Sequence, residues 1–242
     1  MSKNNKRTDI LKKIPIADKL DFATSEAYNV LRTNLSFSFP GKRMGKVFGV
    51  TSASPQDGKS YTCVNLCYAL AKDGHKTILI SSDLRRPTVE KIISLPVGLG
   101  LSNILGEGLE INGDVLHKSI LHDNLSVITA GSVPPNPSEL LGSEQMGELI
   151  ESLKDSYEYI VLDLPPVTSV IDPIAVSKFL DGIVFVVRHG YSKKKNIISA
   201  MNQLRYSGVR VLGFVYNCYK SKSGFFRSYY RYYKGNYYSS RR

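Results

Sequence analysis

The chain has 242 residues and a mass of 26.9 kDa, with 42% hydrophobic and 22% charged residues. That is enough to bury one α/β core and too apolar for a disordered, collagen-like or disulfide-built protein. No stretch nears the roughly 18 consecutive apolar residues of a membrane span, and the formal net charge is +11.

In chain order, the first thirteen residues, MSKNNKRTDILKK, hold five bases and one acid. No apolar run follows them, so they do not read as a secretory signal and a cytoplasmic location is expected. A helix is predicted over 20–36. Short Val/Ile-rich runs then recur at βα spacing: Val47–Thr51, Thr77–Ser81, Leu125–Thr129, Tyr159–Asp163, Gly182–Val187 and Val209–Tyr216. They do not alternate with polar residues, as expected for strands buried on both faces. Helical patterns fall between them over Ser60–Lys72, Ser143–Asp155, Pro173–Leu180 and Lys193–Ser207. Ser60–Lys72 places Cys63, Leu66, Cys67 and Leu70 on one face and stops at Gly74. Strands joined by crossover helices predict an α/β fold with a doubly wound, mostly parallel sheet and flanking helices. The chain ends in 220–242, with seven bases, no acid and a Tyr/Ser/Arg/Gly composition. The two ends carry +4 and +7, so residues 14–219 sum to zero. The expected organisation is a basic arm at 1–19, a globular domain at 20–219 and a basic tail at 220–242. Such arms suit an anionic membrane surface, nucleic acid or an acidic partner.

The three cysteines, Cys63, Cys67 and Cys218, have no zinc-site spacing, and His75, His117, His122 and His189 do not cluster with them. The chemistry lies instead at the strand ends. Directly after the first strand comes Ala53-Ser54-Pro55-Gln56-Asp57-Gly58-Lys59-Ser60, followed by Tyr61 in the opening helix. This strand–loop–helix context makes the loop a P-loop: its backbone N–H groups cradle phosphate oxygens, Lys59 reaches the terminal phosphates and the Ser60 hydroxyl ligates Mg2+. Ligands sit at the carboxyl ends of parallel strands, which brings two further segments alongside. Ile160-Val161-Leu162-Asp163 has the Walker B form, able to hold a metal-bound water or orient a nucleophile. Ile80-Ser81-Ser82-Asp83-Leu84-Arg85-Arg86-Pro87 brings a second acid.

Together, TSASPQDGKS, SSDLRRP and VLDLPPV resemble the Walker A, A′ and B motifs of the bacterial tyrosine kinase (BY-kinase) family of capsular and exopolysaccharide biosynthesis, in its single-chain cytosolic type. SEAYNVLRTNLSFS, GLGLSNILGEG, AGSVPPNPSELLGSEQM, DGIVFVVR and GVRVLGFVYN extend the resemblance over about residues 22–242. It implies a P-loop NTPase-like fold and an ATP- and Mg2+-dependent autokinase that phosphorylates its own tail, here Tyr229, Tyr230, Tyr232, Tyr233, Tyr237 and Tyr238. It further implies a membrane-anchored activator, a homo-oligomeric ring, recruitment to the cytoplasmic face of the membrane and a cognate tyrosine phosphatase. By the same resemblance, Lys59 binds phosphate, Ser60 and Asp83 hold Mg2+, Asp163 positions metal, water or acceptor, Asn217 reads the adenine, and Glu26 and Arg32 belong to the ring-forming helix.

The chain departs from the family pattern at three places. The first acid of the A′ motif, which the family would use to accept the tyrosine proton, is Ser81; a hydroxyl cannot replace that base, whose contribution is typically ~10²–10⁴ in rate. A glycine of the loop is Gln56, which restricts its backbone. The middle arginine of the ring motif is Asn29, which removes a charge-assisted contact. Ser81 makes a catalytically impaired ATP-binding regulator the alternative function. A partitioning-type ATPase would carry a second lysine where Ser54 stands. Nucleic-acid binding is suggested only by the interleaved bases and aromatics of RSYYRYYKGNYYSSRR and is set aside.

Overall fold

The computed structural model describes residues 15–96, 98–118 and 120–219. After a 3-10 turn at Ala17–Lys19 come α1 (Phe22–Ser36), β1 (Lys46–Ser52), α2 (Lys59–Lys72), β2 (Thr77–Ser81), α3 (Val89–Ile93), α4 (Leu101–Glu107), β3 (Leu116–Lys118) and β4 (Leu125–Ile128). Next follow α5 (Pro137–Leu141), α6 (Glu144–Lys154), β5 (Tyr159–Asp163), α7 (Asp172–Val176) with a 3-10 turn at Ser177–Phe179, β6 (Gly182–Arg188), α8 (Lys194–Tyr206) and β7 (Val211–Asn217).

The strands form one sheet in the order β3-β4-β2-β5-β1-β6-β7. Every neighbouring pair is parallel except β3 against β4. The sheet is therefore the mostly parallel, helix-covered one expected, with one short antiparallel strand added at an edge. Burial of β1, β2, β4 and β5 is uninterrupted along each strand, which is why their sequences show no alternation: both faces are covered. Phe48, Val50, Leu79, Val127 and Val161 pack under α1 and α2, while Val47, Ile78, Ile80, Ile160 and Leu162 pack under α4 and α6. Ile183 and Phe185 of β6 meet Ala200 and Leu204 of α8 in a third cluster.

Local signals set the helix starts. Asp21 caps α1 by accepting from the Thr24 N–H at 2.9 Å, and the Ser143 hydroxyl caps α6 from the Met146 N–H at 3.3 Å. The helix expected over Pro173–Leu180 is a shorter α7 that tightens into a 3-10 turn. Three short helices, α3, α4 and α5, lay in stretches with too few turns to show a period. The register carries the functional point: Val50 of β1 and Ser81 of β2 both flank Asp163 of β5, so three strand ends converge beside the loop that follows Ser52.

Candidate active site

The loop from Ala53 to Gly58 is fixed from within and from outside. Gly58 takes φ +95°, and a Cβ there would lie 2.0 Å from Asn217 Nδ2, so only glycine fits. Gln56 also takes a left-handed φ of +70°, a strained conformation for a side chain of its size. Asp57, fully buried, turns its carboxylate inward. Its Oδ2 accepts from the Ser54 N–H at 3.0 Å and its Oδ1 from the Ser192 hydroxyl at 2.7 Å, while its carbonyl accepts from Asn217 Nδ2 at 3.0 Å. Asn196 Nδ2 donates to Ser54 Oγ at 3.0 Å, Arg188 donates to the Gln56 carbonyl at 2.9 Å, and Thr168 Oγ1 donates to the Ala53 carbonyl at 2.5 Å. These bonds hold the strained loop in place. Pro55 and Gln56 stay exposed.

Lys59 and Ser60 open α2, both buried. The Lys59 ammonium lies 2.9 Å from Asp83 Oδ2, 3.3 Å from Ser60 Oγ and 3.7 Å from Asp163 Oδ1. Burial alone would lower the Lys59 pKa, but Asp163 and Asp83 outweigh it and raise it. The lysine is a fixed cation. Asp163 is the counterpart: it is fully buried, and neither carboxylate oxygen has a hydrogen-bond partner among the described residues. Desolvation raises its pKa to about 6, with Asp83 and Glu90 pushing the same way and the Lys59 ammonium and Ser60 hydroxyl restraining the rise. The Ser81 hydroxyl, its strand neighbour, is also buried and has no hydrogen-bond partner among the described residues.

Buried polar atoms without partners are rare in native proteins and ask for an explanation. Ser60 and Asp83 offer oxygen donors, the kind a hard divalent cation takes, with the Asp163 carboxylate beside them. Among the described residues no group of three or more acidic, histidine or cysteine side chains is gathered. One carboxylate and a hydroxyl leave coordination positions for water and phosphate, which is how Mg2+ is usually held. The residues present fit Mg2+ with a nucleotide phosphate.

The structure thus brings together Ala53 to Ser60, Asp83, Asp163 and Asn217. Tyr61 follows Ser60, half-buried. Glu26 and Arg32 lie on α1, away from the loop: Glu26 Oε1 accepts from Asn29 Nδ2 at 2.8 Å, and Arg32 pairs with Asp73 at 2.8 Å. The six tail tyrosines fall outside the described residues. Sequence reasoning missed the outer supports Thr168, Arg188, Ser192 and Asn196, since nothing in their spacing marks them as partners of a loop more than 100 residues earlier. It also missed Glu90 of α3, whose Oε1 accepts from the Ala130 N–H at 2.7 Å while Oε2 is buried without a partner. Beyond Asp83, Arg85 forks onto the buried Asp172 at 2.9 and 3.1 Å, and Ser138 donates to the same carboxylate at 2.7 Å. This bond set joins the two motifs SSDLRRP and VPPNPSELL.

No protein-family model matches the chain. Among curated proteins it is 35% identical over 193 residues to the tyrosine-protein kinase YwqD of Bacillus subtilis, covering 80% of each chain. It is 34% identical over 195 residues to the tyrosine-protein kinase CpsD of Streptococcus agalactiae, covering 80% of this chain and 83% of that one. Among solved structures, the kinase domain of the Escherichia coli tyrosine kinase ETK superposes with a TM-score of 0.80 at 31% identity, over 88% of this chain and 83% of that one.

Proposed function

This chain belongs to the bacterial tyrosine-protein kinases of capsule and exopolysaccharide synthesis, and we propose that its site transfers the γ-phosphoryl group of ATP to the tyrosines of its own tail, Tyr229, Tyr230, Tyr232, Tyr233, Tyr237 and Tyr238. The observation that carries this reading is the buried Lys59 held between Asp83 and Asp163 at the mouth of a rigid phosphate loop. The loop N–H groups and Lys59 bind the nucleotide phosphates. Ser60 and Asp83 would hold Mg2+, which when bound supplies neutralising charge at the transferring phosphate, and Asp163 stays free of the metal. Asn217, which lies beside Gly58, would meet the base.

In the transfer, the tyrosine Oη forms a bond to the γ-phosphorus, the bond from that phosphorus to the bridging oxygen breaks, and ADP leaves with the electron pair. The phenolic proton needs an acceptor. Ser81 cannot serve, whereas Asp163 presents unpartnered oxygens and a pKa of about 6, close to the value that favours a base near neutral pH. We assign proton acceptance to Asp163. The reading as a non-catalytic regulator rests on Ser81 alone and has no stronger support.

A membrane-anchored activator, a ring built through Glu26 and Arg32, recruitment to the cytoplasmic membrane face and a cognate phosphatase complete the proposal. Ring formation through Arg32 requires it to leave Asp73 or to share it. Tail phosphorylation would also act as a charge switch: six phosphotyrosines add about −9 to −12 to a segment of +7.

The test is mass spectrometry of the tail after incubation of the full chain with Mg-ATP and an activator's cytosolic segment. Phosphate on the tail tyrosines, absent in Lys59→Met, is expected. If the wild type stays unlabelled while calorimetry shows Lys59-dependent ATP binding, the regulator reading replaces this one.

A further inference from the structure

The last acidic residue of the chain is Asp181. Residues 182–219 carry six bases, Arg188, Lys193, Lys194, Lys195, Arg205 and Arg210, and no acid; residues 14–181 carry 14 bases and 20 acids. The globular domain, neutral in total, is therefore split into +6 over β6, α8 and β7 and −6 over the rest. None of the six bases forms an ion pair among the described residues.

The fold gathers this charge at one end of the sheet. β7 lies at an edge of the sheet and, among the described residues, pairs only with β6. α8 buries Ala200 and Leu204 against β6 and turns Lys194, Lys195, Ile198, Asn202, Arg205 and Tyr206 outward. Large apolar groups stand among the bases: Tyr206 is 83% exposed, Ile198 50% and Phe214 59%. Phe214 packs edge-on against Phe185, whose cluster lies beneath α8, so β7 presents Phe214 on the same side of the sheet as the helix. Tyr216 shares that side by alternation and meets His189 and Tyr219.

Unpaired bases interleaved with exposed aromatic and aliphatic side chains, and no acid, are the composition of a surface that lies in a lipid headgroup layer. We propose that the outer side of α8, with the Phe214–Tyr216 side of β7, is the face on which the folded domain rests against an anionic lipid bilayer. Charge complementarity commits it to that occupant, and the seven further bases of 220–242 follow directly in the chain. A single-stranded nucleic acid is the competing anion, but it needs a groove that tracks its backbone, and a helix with Ile198 along its outer side is convex. The inference stands apart from the kinase reading, because no residue of the proposed face contacts phosphate or metal in that reading.

Full-length protein is sedimented with vesicles of phosphatidylcholine alone and of phosphatidylcholine with 30 mol% phosphatidylglycerol. Wild type binds the anionic vesicles and is released by salt. A basic residue near an anionic surface contributes about five-fold in affinity, so Lys193→Ser/Lys194→Ser/Lys195→Ser lowers binding by about 10- to 100-fold. Ile198→Ser/Tyr206→Ser lowers it several-fold at high salt, where insertion outlasts charge. All these positions are exposed, and unchanged thermal midpoints verify folding. The proposal fails if the triple variant binds like wild type, which leaves the tail as the only contact. It fails equally if neutral and anionic vesicles bind alike, or if a single-stranded oligonucleotide displaces the vesicles at lower concentration than phosphatidylglycerol recruits the protein.

Discussion

The phosphate loop and the carboxylate end of β2 and β5 lie side by side yet are built in opposite ways. In the loop, the Asp57 carboxylate, the Ser54 N–H and hydroxyl, the Gln56 carbonyl and the Ala53 carbonyl all have protein partners, several supplied by the segment after β6. Across from it, both oxygens of Asp163, the Ser81 hydroxyl and one oxygen of Glu90 have no hydrogen-bond partner among the described residues, and Asp163 meets the Lys59 ammonium at 3.7 Å. The loop is held by the protein's own bonds, which limits the ordering that a phosphate ligand would have to impose. The carboxylate side carries an unmet demand for cations and protons, balanced in part by Lys59. One half of the pocket is satisfied by the protein and the other is not.

Removing the centre of the loop's support tests the first half most severely. Asp57→Ala strands the Ser54 N–H and the Ser192 hydroxyl, and a lost buried carboxylate partner costs about 2–4 kcal/mol. Urea unfolding should show that loss, together with weaker ATP binding by calorimetry. Equal stability would mean that the loop does not depend on its outer frame.

Asp163→Asn tests the second half, with the opposite sign. The native pKa of Asp163, about 6, lies above its ordinary value, so the fold favours the protonated carboxyl. That contribution is fully present below about pH 4 and is lost as pH rises through 6. The neutral amide should therefore stabilise the nucleotide-free protein by up to about 3 kcal/mol at pH 8 and change little at pH 4, while tail phosphorylation falls. A variant less stable than wild type at pH 8 would place the unmet charge elsewhere.

Ser81→Asp puts a second carboxylate beside Asp163. Autophosphorylation should rise about ten-fold, worth about 1.4 kcal/mol in the barrier, at some cost in stability from like charges. No rate gain would leave Asp163 as a sufficient base. The smallest effect sharpens the picture of the loop: Gln56→Gly should relieve the left-handed strain and stabilise the protein by about 1 kcal/mol, read as a rise in thermal midpoint.

Much of this was legible in the chain. Uninterrupted apolar runs such as Ile160–Leu162 announced buried parallel strands, and Lys59, Asp83 and Asp163 could be grouped because ligands gather at strand ends. The three short helices were not legible, because five to seven residues hold too few turns to display periodicity. The supports Arg188, Ser192 and Asn196 were hidden for a different reason: they act by proximity across a parallel sheet, and a serine or asparagine at a helix start looks the same whether it caps that helix or braces a distant loop. The charge split was masked by summing: a zero over residues 14–219 concealed a −6 and a +6.

The strand order also sets a timetable for synthesis. β1 lies in the middle of the sheet, and its partners are β5 and β6, so more than 100 residues separate Ser52 from Tyr159, the first residue of the earlier of these partners. At translation rates of about 5–20 residues per second, β1 leaves the ribosome roughly 5–20 seconds before anything exists for it to pair with. Val47, Phe48 and Val50, all buried in the finished sheet, must wait unpaired for that time. The supports Arg188, Ser192, Asn196 and Asn217, which brace the loop beside them, are made later still than Asp163, so the loop gains its full frame only after the carboxylate beside it is already present.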